Sequence, residues 1–311
     1  MKSIRKTLKM LNPFNGIEEM PTAVYIIKKL LACSLIYMAA NILQQVILTG
    51  VFFMAGYDPV QGILPSEDVQ TTALYYGFAV YILLALLYCK FIEKRSLKSM
   101  GLNKKVVDYV YGAGIAAILL ILITGICCIT GSISYARLDR NVNGTYMIAL
   151  LGGLIIQGAA EEIMCRGFLF TSLMKKVSVP MAIFWSASVF TFPHLFNLFL
   201  SDTKYVIIGI VNLYLISAIF SLLLLWRGNI WISCGLHSIW NFMLYAVMGL
   251  TLSGNEKTVE GIICFDAGKS SIINGGSYGI ESSIITTFIL GITVTILYRI
   301  WSKKRGDING I

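Results

Sequence analysis

The chain has 311 residues, of which 57% are hydrophobic and only 13% charged, and a formal net charge of +9. A mean hydropathy of +0.75 excludes a soluble globular domain. The basic residues fall in short clusters between apolar runs, so they read as topology determinants and exclude a nucleic-acid partner. Those runs are continuous and lack dyad alternation, which excludes a β-barrel.

In chain order, residues 1–29 form a basic segment without the order of charge, apolar core and small-residue cleavage site of a signal peptide, and are expected to stay cytoplasmic. About eight spans follow, each near the roughly 20 residues that cross a hydrocarbon core of about 30 Å. They are expected at Leu30–Met54, Thr72–Phe91, Val107–Thr130, Tyr146–Leu173, Met181–Leu200, Tyr205–Trp226, Ile230–Leu250 and Ser283–Trp301. Residues 303–311 complete the chain as a cytoplasmic tail. The expected fold is all-α, a polytopic membrane protein with one membrane domain over residues 30–302.

Basic loops alternate with acidic or mixed ones. Lys2, Arg5, Lys6, Lys28, Lys29, the cluster from Lys90 to Lys105, Lys175, Lys176, Arg227, Lys303, Lys304 and Arg305 fall on one side. Asp58, Glu67, Asp68, the mixed Arg137, Asp139 and Arg140, and Asp202 fall on the other. The positive-inside rule then makes both termini cytoplasmic, as an even number of spans requires. Six of the seven cysteines lie in or beside spans and none forms a CxxC pair, so they read as small apolar filler.

Three spans carry groups that are expensive at membrane depth and so mark function. The fourth contains Glu161, Glu162 and Arg166. At about 100° per residue Glu162 and Arg166 share a face, whereas Glu161 shares its face with Gln157. Arg166 is therefore expected to neutralise Glu162 and leave Glu161 facing a polar cavity. Glu162 and Arg166 also fit a structural ion pair between helices, a role less suited to a second carboxylate without its own counter-ion. The fifth span carries Phe190 and His194 four residues apart, with Asn197 a turn beyond and Pro193 disturbing the backbone. The seventh carries His237 and Asn241, again four apart.

Depth joins these spans. At 1.5 Å per residue Glu161 lies about 21 Å from Lys175 and His194 about 21 Å from Pro180, with His237 and Asn241 roughly 12 and 18 Å beyond Asn229. Convergence in a cavity among spans four, five and seven is expected, near mid-membrane or slightly toward the cytoplasm. A carboxylate could take a proton from water, the histidines could relay or stabilise charge, and Asn241 could orient an imidazole or hold an oxyanion. No GxSxG serine is present, and Cys165 faces away from Glu161. A divalent metal such as zinc is a candidate cofactor, with Glu161, His194 and His237 as candidate ligands, although HExxH is absent. The inventory admits both metal-activated and directly glutamate-activated water.

The ordered motifs Glu-Glu-x-x-x-Arg at Glu161, Glu162 and Arg166, Phe-x-x-x-His at Phe190 and His194, and His-x-x-x-Asn at His237 and Asn241 resemble the CPBP intramembrane protease family. That family groups type II CAAX prenyl endopeptidases with bacteriocin-processing and bacteriocin-immunity, Abi-like proteins, and the resemblance spans about residues 146–250. It implies an eight-helix endopeptidase whose cavity is accessible from the cytoplasmic side. Glu161 would act as general base with His194 opposite, His237 and Asn241 would complete the site, and Glu162 and Arg166 would support it. The implied partner is a membrane-associated peptide or protein substrate amid membrane lipid. Short loops and the lack of an organellar targeting signal point to a bacterial plasma membrane. Two other classes use the same residues: a non-catalytic immunity or peptide-binding membrane protein, and a proton-coupled transporter.

Overall fold

Without water at membrane depth a backbone must satisfy its own polar groups, and these apolar segments do so as helices. The computed structural model describes residues 7, 9–103, 105–139, 141–255 and 261–309, with 305–309 described by backbone alone. Lys2, Arg5, Lys6, Lys104, Arg140, the side chain of Arg305 and the last two residues of the tail lie outside the described residues.

Among the described residues seven helices are long and apolar enough to cross a membrane, and the protein is a helical, multi-pass membrane protein. They are α1 (Thr22–Met54), α2 (Glu67–Ile92), α3 (Asp108–Ile129), α4 (Gly144–Leu173), α5 (Val179–Phe199) and α6 (Thr203–Arg227), followed after a shorter helix by α8 (Ile284–Asn309). The shorter one, α7 (Trp231–Phe242), is the expected seventh span. Its 12 residues run into five π-helical ones at Met243–Val247, at the lower limit for crossing. All eight expected spans thus have a helix. α8 runs on through most of the expected tail, and α1 starts eight residues earlier than expected.

That early start takes two of the basic residues, Lys28 and Lys29, into α1. Both are buried rather than solvated. The Nζ of Lys28 donates to Asn15 and to the Ile17 carbonyl, while Lys29 pairs with Glu93. Arg95 meets the same Glu93 at 3.2 Å and donates to Ser172 at 2.6 Å. Glu93 collects these cations, so the network ties the basic ends of α1, α2 and α4 together.

Among the described residues one element departs from an all-helical chain. Strands β1 (Ile133–Leu138) and β2 (Ile263–Ala267) pair antiparallel, with a bulge between Tyr135 and Arg137. They join the loop after α3 to the α7–α8 connection, at the end away from the basic loops.

α7 sits at the centre, with nine residues between Ile232 and Asn241 buried. Glycines let its neighbours approach, as small residues do between membrane helices. A Cβ built on Gly112 of α3 would stand 1.9 Å from the Ile232 carbonyl oxygen, and one on Gly235 of α7 would stand 2.0 Å from that of Tyr109. One on Gly158 of α4 would meet Ser238 at 2.6 Å. These contacts bring the backbones of α3 and α4 onto α7 and fix its rotation. Gly235→Leu should therefore lower the thermal unfolding midpoint in detergent, with an overpacking cost of about 1–3 kcal/mol. Gly114→Leu, where nothing lies within 4 Å of an added Cβ, should leave it unchanged.

Candidate functional site

Glu161 and Glu162 close the regular part of α4, and the next eight residues, Ile163–Phe170, are π-helical. Such wide turns gather at functional sites, because they re-aim side chains without ending the helix. Glu162 and Arg166 are both fully buried and pair at 2.9 Å. The Arg166 guanidinium lies between two rings, 4.6 Å from the Phe190 centroid and 4.7 Å from that of Phe220, and donates to Ser217 at 2.7 Å. The expected neutralisation of Glu162 by Arg166 is present, and its surroundings draw in α5 and α6.

Glu162 holds His237 as well. Its Oε1 lies 3.0 Å from His237 Nδ1, and the imidazole stacks on Phe220 at 5.1 Å with planes 15° apart. A carboxylate paired with arginine is an acceptor, so Nδ1 carries a proton, and in the neutral tautomer Nε2 is then the acceptor. That nitrogen faces Glu161 Oε2 at 3.8 Å.

Glu161 turns from Glu162 toward a cavity of about 190 Å³. Its Oε1 accepts from Gln157 Nε2 at 2.6 Å, and Gln157 Oε1 accepts from Asn241 Nδ2 at 3.0 Å. The expected placement of Gln157 behind Glu161 is found. Asn241 acts on the carboxylate through Gln157 rather than on an imidazole, and its amide keeps a second N–H. Oε2 of Glu161 is buried without a hydrogen-bond partner.

His194 reaches the same cavity from α5. Pro193 stands in a short 3₁₀ turn, Phe192–His194, and the carbonyl of Phe190 receives His194 Nδ1 at 2.9 Å. A carbonyl only accepts, so this ring also carries its proton on Nδ1. Phe190 packs against both imidazoles, with ring centroids 5.0 Å from His194 and 5.8 Å from His237. Asn197 lines the cavity and also tethers the loop after α7, since its amide donates to the Ser253 carbonyl and to Asn255. Its position in the fifth span gave no sign of that second role. Glu161, His194, His237, Asn241, Phe190 and Asn197 therefore line one cavity, and Glu162 and Arg166 stand behind its wall.

Two expectations change. Leu252, Ser253, Asn255 and Glu281 bound the cavity, so it lies against the α7–α8 connection rather than the basic loops. The reason is local: His194 is five residues from the end of α5, and the connection folds over that end. The candidate metal ligands also fail to group. Among the described residues no three His, Cys, Asp or Glu side chains stand together as a metal site. Glu161, His194 and His237 do not fit a divalent ion such as zinc as placed, and the chemistry is derived for the side chains alone.

Sequence reasoning missed Phe220, Ser217, Trp240 and Glu281. The first two look like any residue of an apolar span. Trp240 adjoins Asn241 but points to the α8 side, where its Nε1 donates to Glu281 at 3.1 Å. The one available signal for Glu281 was an acidic residue just ahead of a span with no basic neighbour.

The fold and site thus define a multi-pass helical membrane protein with an acid–imidazole–amide cavity among its spans. Residues 143–243 match the Rce1-like family, described as type II CAAX prenyl endopeptidase Rce1-like, and this match supports membership of the CPBP family that the motifs resemble. The matched family is a protease family. No curated protein and no solved structure matches the chain.

Removal of Arg166 would strand the Glu162 charge at a depth where water does not reach it. Arg166→Leu should cost about 3–5 kcal/mol of stability. Glu162→Gln combined with Arg166→Leu should recover part of that loss, as read from thermal unfolding of the purified variants.

Proposed function

We propose that the chain is an intramembrane endopeptidase of the bacterial plasma membrane, which hydrolyses a peptide bond of a membrane-associated peptide or protein with water activated by Glu161. The observation that carries this reading is the pair of free acceptors in the cavity, Glu161 Oε2 and His237 Nε2, 3.8 Å apart. That separation is too long for a direct hydrogen bond but suits a water that donates one hydrogen to each.

The chemistry follows from what each group can do. Glu161 takes a proton as the water oxygen attacks the carbonyl carbon, giving a tetrahedral oxyanion. The free N–H of Asn241 is a donor for that oxyanion, and His194 becomes a second donor when its Nε2 is protonated. Collapse breaks the C–N bond, and the amine departs with the proton that left the water, returned by Glu161 directly or through His237. Gln157 and Glu162 are positioning residues: one orients the base and the other fixes the tautomer of His237.

Support for a membrane-associated substrate comes from the other side of Glu161. A narrow cleft shares Glu161, Phe190 and Pro193 with the cavity. It also shares Cys33, Tyr37, Val189 and Pro193 with an apolar surface groove of about 540 Å³ between α1 and α5. Apolar substrate held there would present an adjoining peptide bond to Glu161 from the lipid.

The test is membrane-peptide profiling with wild type and Glu161→Gln. Cleavage should fall by about 10²–10⁴-fold, the usual contribution of a general base, while thermal unfolding stays as in wild type. Identical peptide profiles would eliminate the enzyme reading in favour of a binding or immunity protein.

We further propose that both termini are cytoplasmic, from the alternation of basic loops. Lys98 and Lys269, both exposed, lie at opposite ends of the bundle. Lys269→Cys should react with a membrane-impermeant thiol reagent in intact cells, and Lys98→Cys only after permeabilisation. The reverse pattern would invert the topology.

A further inference from the structure

Glu281 stands outside the stretch similar to the Rce1-like family, yet its side chain is on the wall of the same cavity. It comes from a short 3₁₀ turn, Ile280–Ser282, just ahead of α8. One carboxylate oxygen accepts from Trp240 Nε1 at 3.1 Å, and the other accepts from the Ser253 backbone N–H at 2.6 Å. Ser253 has φ of 50°, in the left-handed region uncommon for a residue with a side chain, and the bond to Glu281 helps hold it there. An N–H donor on each oxygen favours the ionised form and fixes the direction of the remaining lone pairs.

The cavity's charges are one-sided. Glu161 and Glu281 both face it, His194, His237 and Tyr75 are the other titratable side chains on its wall, and among the described residues no lysine or arginine lines it. Arg166 is occupied by Glu162 behind the wall. The unpartnered Oε2 of Glu161 is one acceptor without a cation, and Glu281 is a second carboxylate without one.

We propose that Glu281 is a specificity-determining residue that receives a cationic group of the substrate, a basic side chain or a free N-terminal ammonium, beside the bond to be cut. The proposal rests on the hydrolase reading for the bond that is cut, but not for the binding preference. It places an anion, such as a free C-terminal carboxylate close to that bond, at a disadvantage. Burial pushes the Glu281 carboxyl above the usual carboxylate range, while the Ser253 and Trp240 donors and the nearby His194 and His237 draw it back. Tyr278 is the other titratable group beside it. An arriving cation would stabilise the ionised form of Glu281 and gain from it a charge-assisted hydrogen bond in a site of low dielectric.

The test uses the purified full chain in lipid nanodiscs and a set of apolar-anchored peptides. These carry lysine, glutamine or glutamate at each position in turn, each with a free or an acetylated N-terminus. Binding is read by fluorescence anisotropy on Glu161→Gln protein, with and without Glu281→Gln, Glu281→Asp or Glu281→Lys, and cleavage is read on the Glu161 forms. At one position lysine should bind at least about tenfold more tightly than glutamate. Glu281→Gln should flatten that ranking, Glu281→Asp should keep it and Glu281→Lys should reverse it. A preference carried by the free N-terminus alone identifies the ammonium as the cation, and one that survives acetylation identifies the side chain. A purely structural role for Glu281 would weaken all peptides alike and leave the ranking intact. That outcome, or an unchanged ranking in Glu281→Gln, overturns the proposal. Absence of cleavage by any Glu161 form would count against the hydrolase reading while the binding ranking still decides the role of Glu281.

Discussion

The buried Arg166–Glu162 pair is the constraint on which the site depends. Taking two such charges out of water costs several kcal/mol per ion even after relaxation. The offset comes from every side: Glu162 at 2.9 Å, Ser217 at 2.7 Å and the faces of Phe190 and Phe220. As adhesive the arrangement is poor, because Arg166 Nε and Glu162 Oε2 are buried without hydrogen-bond partners. What it supplies is orientation. Four helices contribute to it, and Arg166 holds Glu162 where its Oε1 meets His237 Nδ1 at 3.0 Å.

The same pair separates two neighbouring acids by role. Glu161 and Glu162 follow one another on α4, yet a turn of about 100° sends one toward the cavity and the other toward arginine. Glu162, fully enclosed, has its charge cancelled locally. Glu161, partly exposed to the cavity, has one oxygen tied to Gln157 and the other free. The proposed base needs a lone pair and a fixed direction, and the Asn241–Gln157–Glu161 chain supplies the direction without occupying the lone pair.

Much of this was legible because helical phase is a local property. The spacings of Glu162 with Arg166, Phe190 with His194 and His237 with Asn241 set faces that survive in the fold, and the eight apolar runs each became a helix. What escaped was long-range. Phe220 clamps Arg166 and His237 from α6, 54 residues beyond Arg166, and nothing in its own span distinguishes it. Lys28 and Lys29 look like loop charges until Asn15 and Glu93 are seen to enclose them. Glu281 needed knowledge that a connection following α7 would fold back over the end of α5. The cavity's position against that connection was hidden for the same reason: span limits give depth along a helix but not which loop covers its end.

The two imidazoles are fixed in the same tautomer by acceptors of different kinds, and this divides their roles. His194 donates to the Phe190 carbonyl, which cannot take up a proton under any condition of catalysis. His237 donates to Glu162, a carboxylate, and its Nε2 sits 3.8 Å from Glu161 Oε2. A proton arriving at His237 Nε2 meets a carboxylate across the ring, which offsets the new positive charge as it forms. His194 gains only a carbonyl dipole. In the proposed mechanism, proton transfer between the two acceptors of the cavity is therefore assigned to His237 and Glu161, and His194 to the oxyanion. Rotation of α7 about its glycine contacts with α3 and α4 would move His237 relative to both acids at once, so the close approach of these helices serves the site as well as the packing.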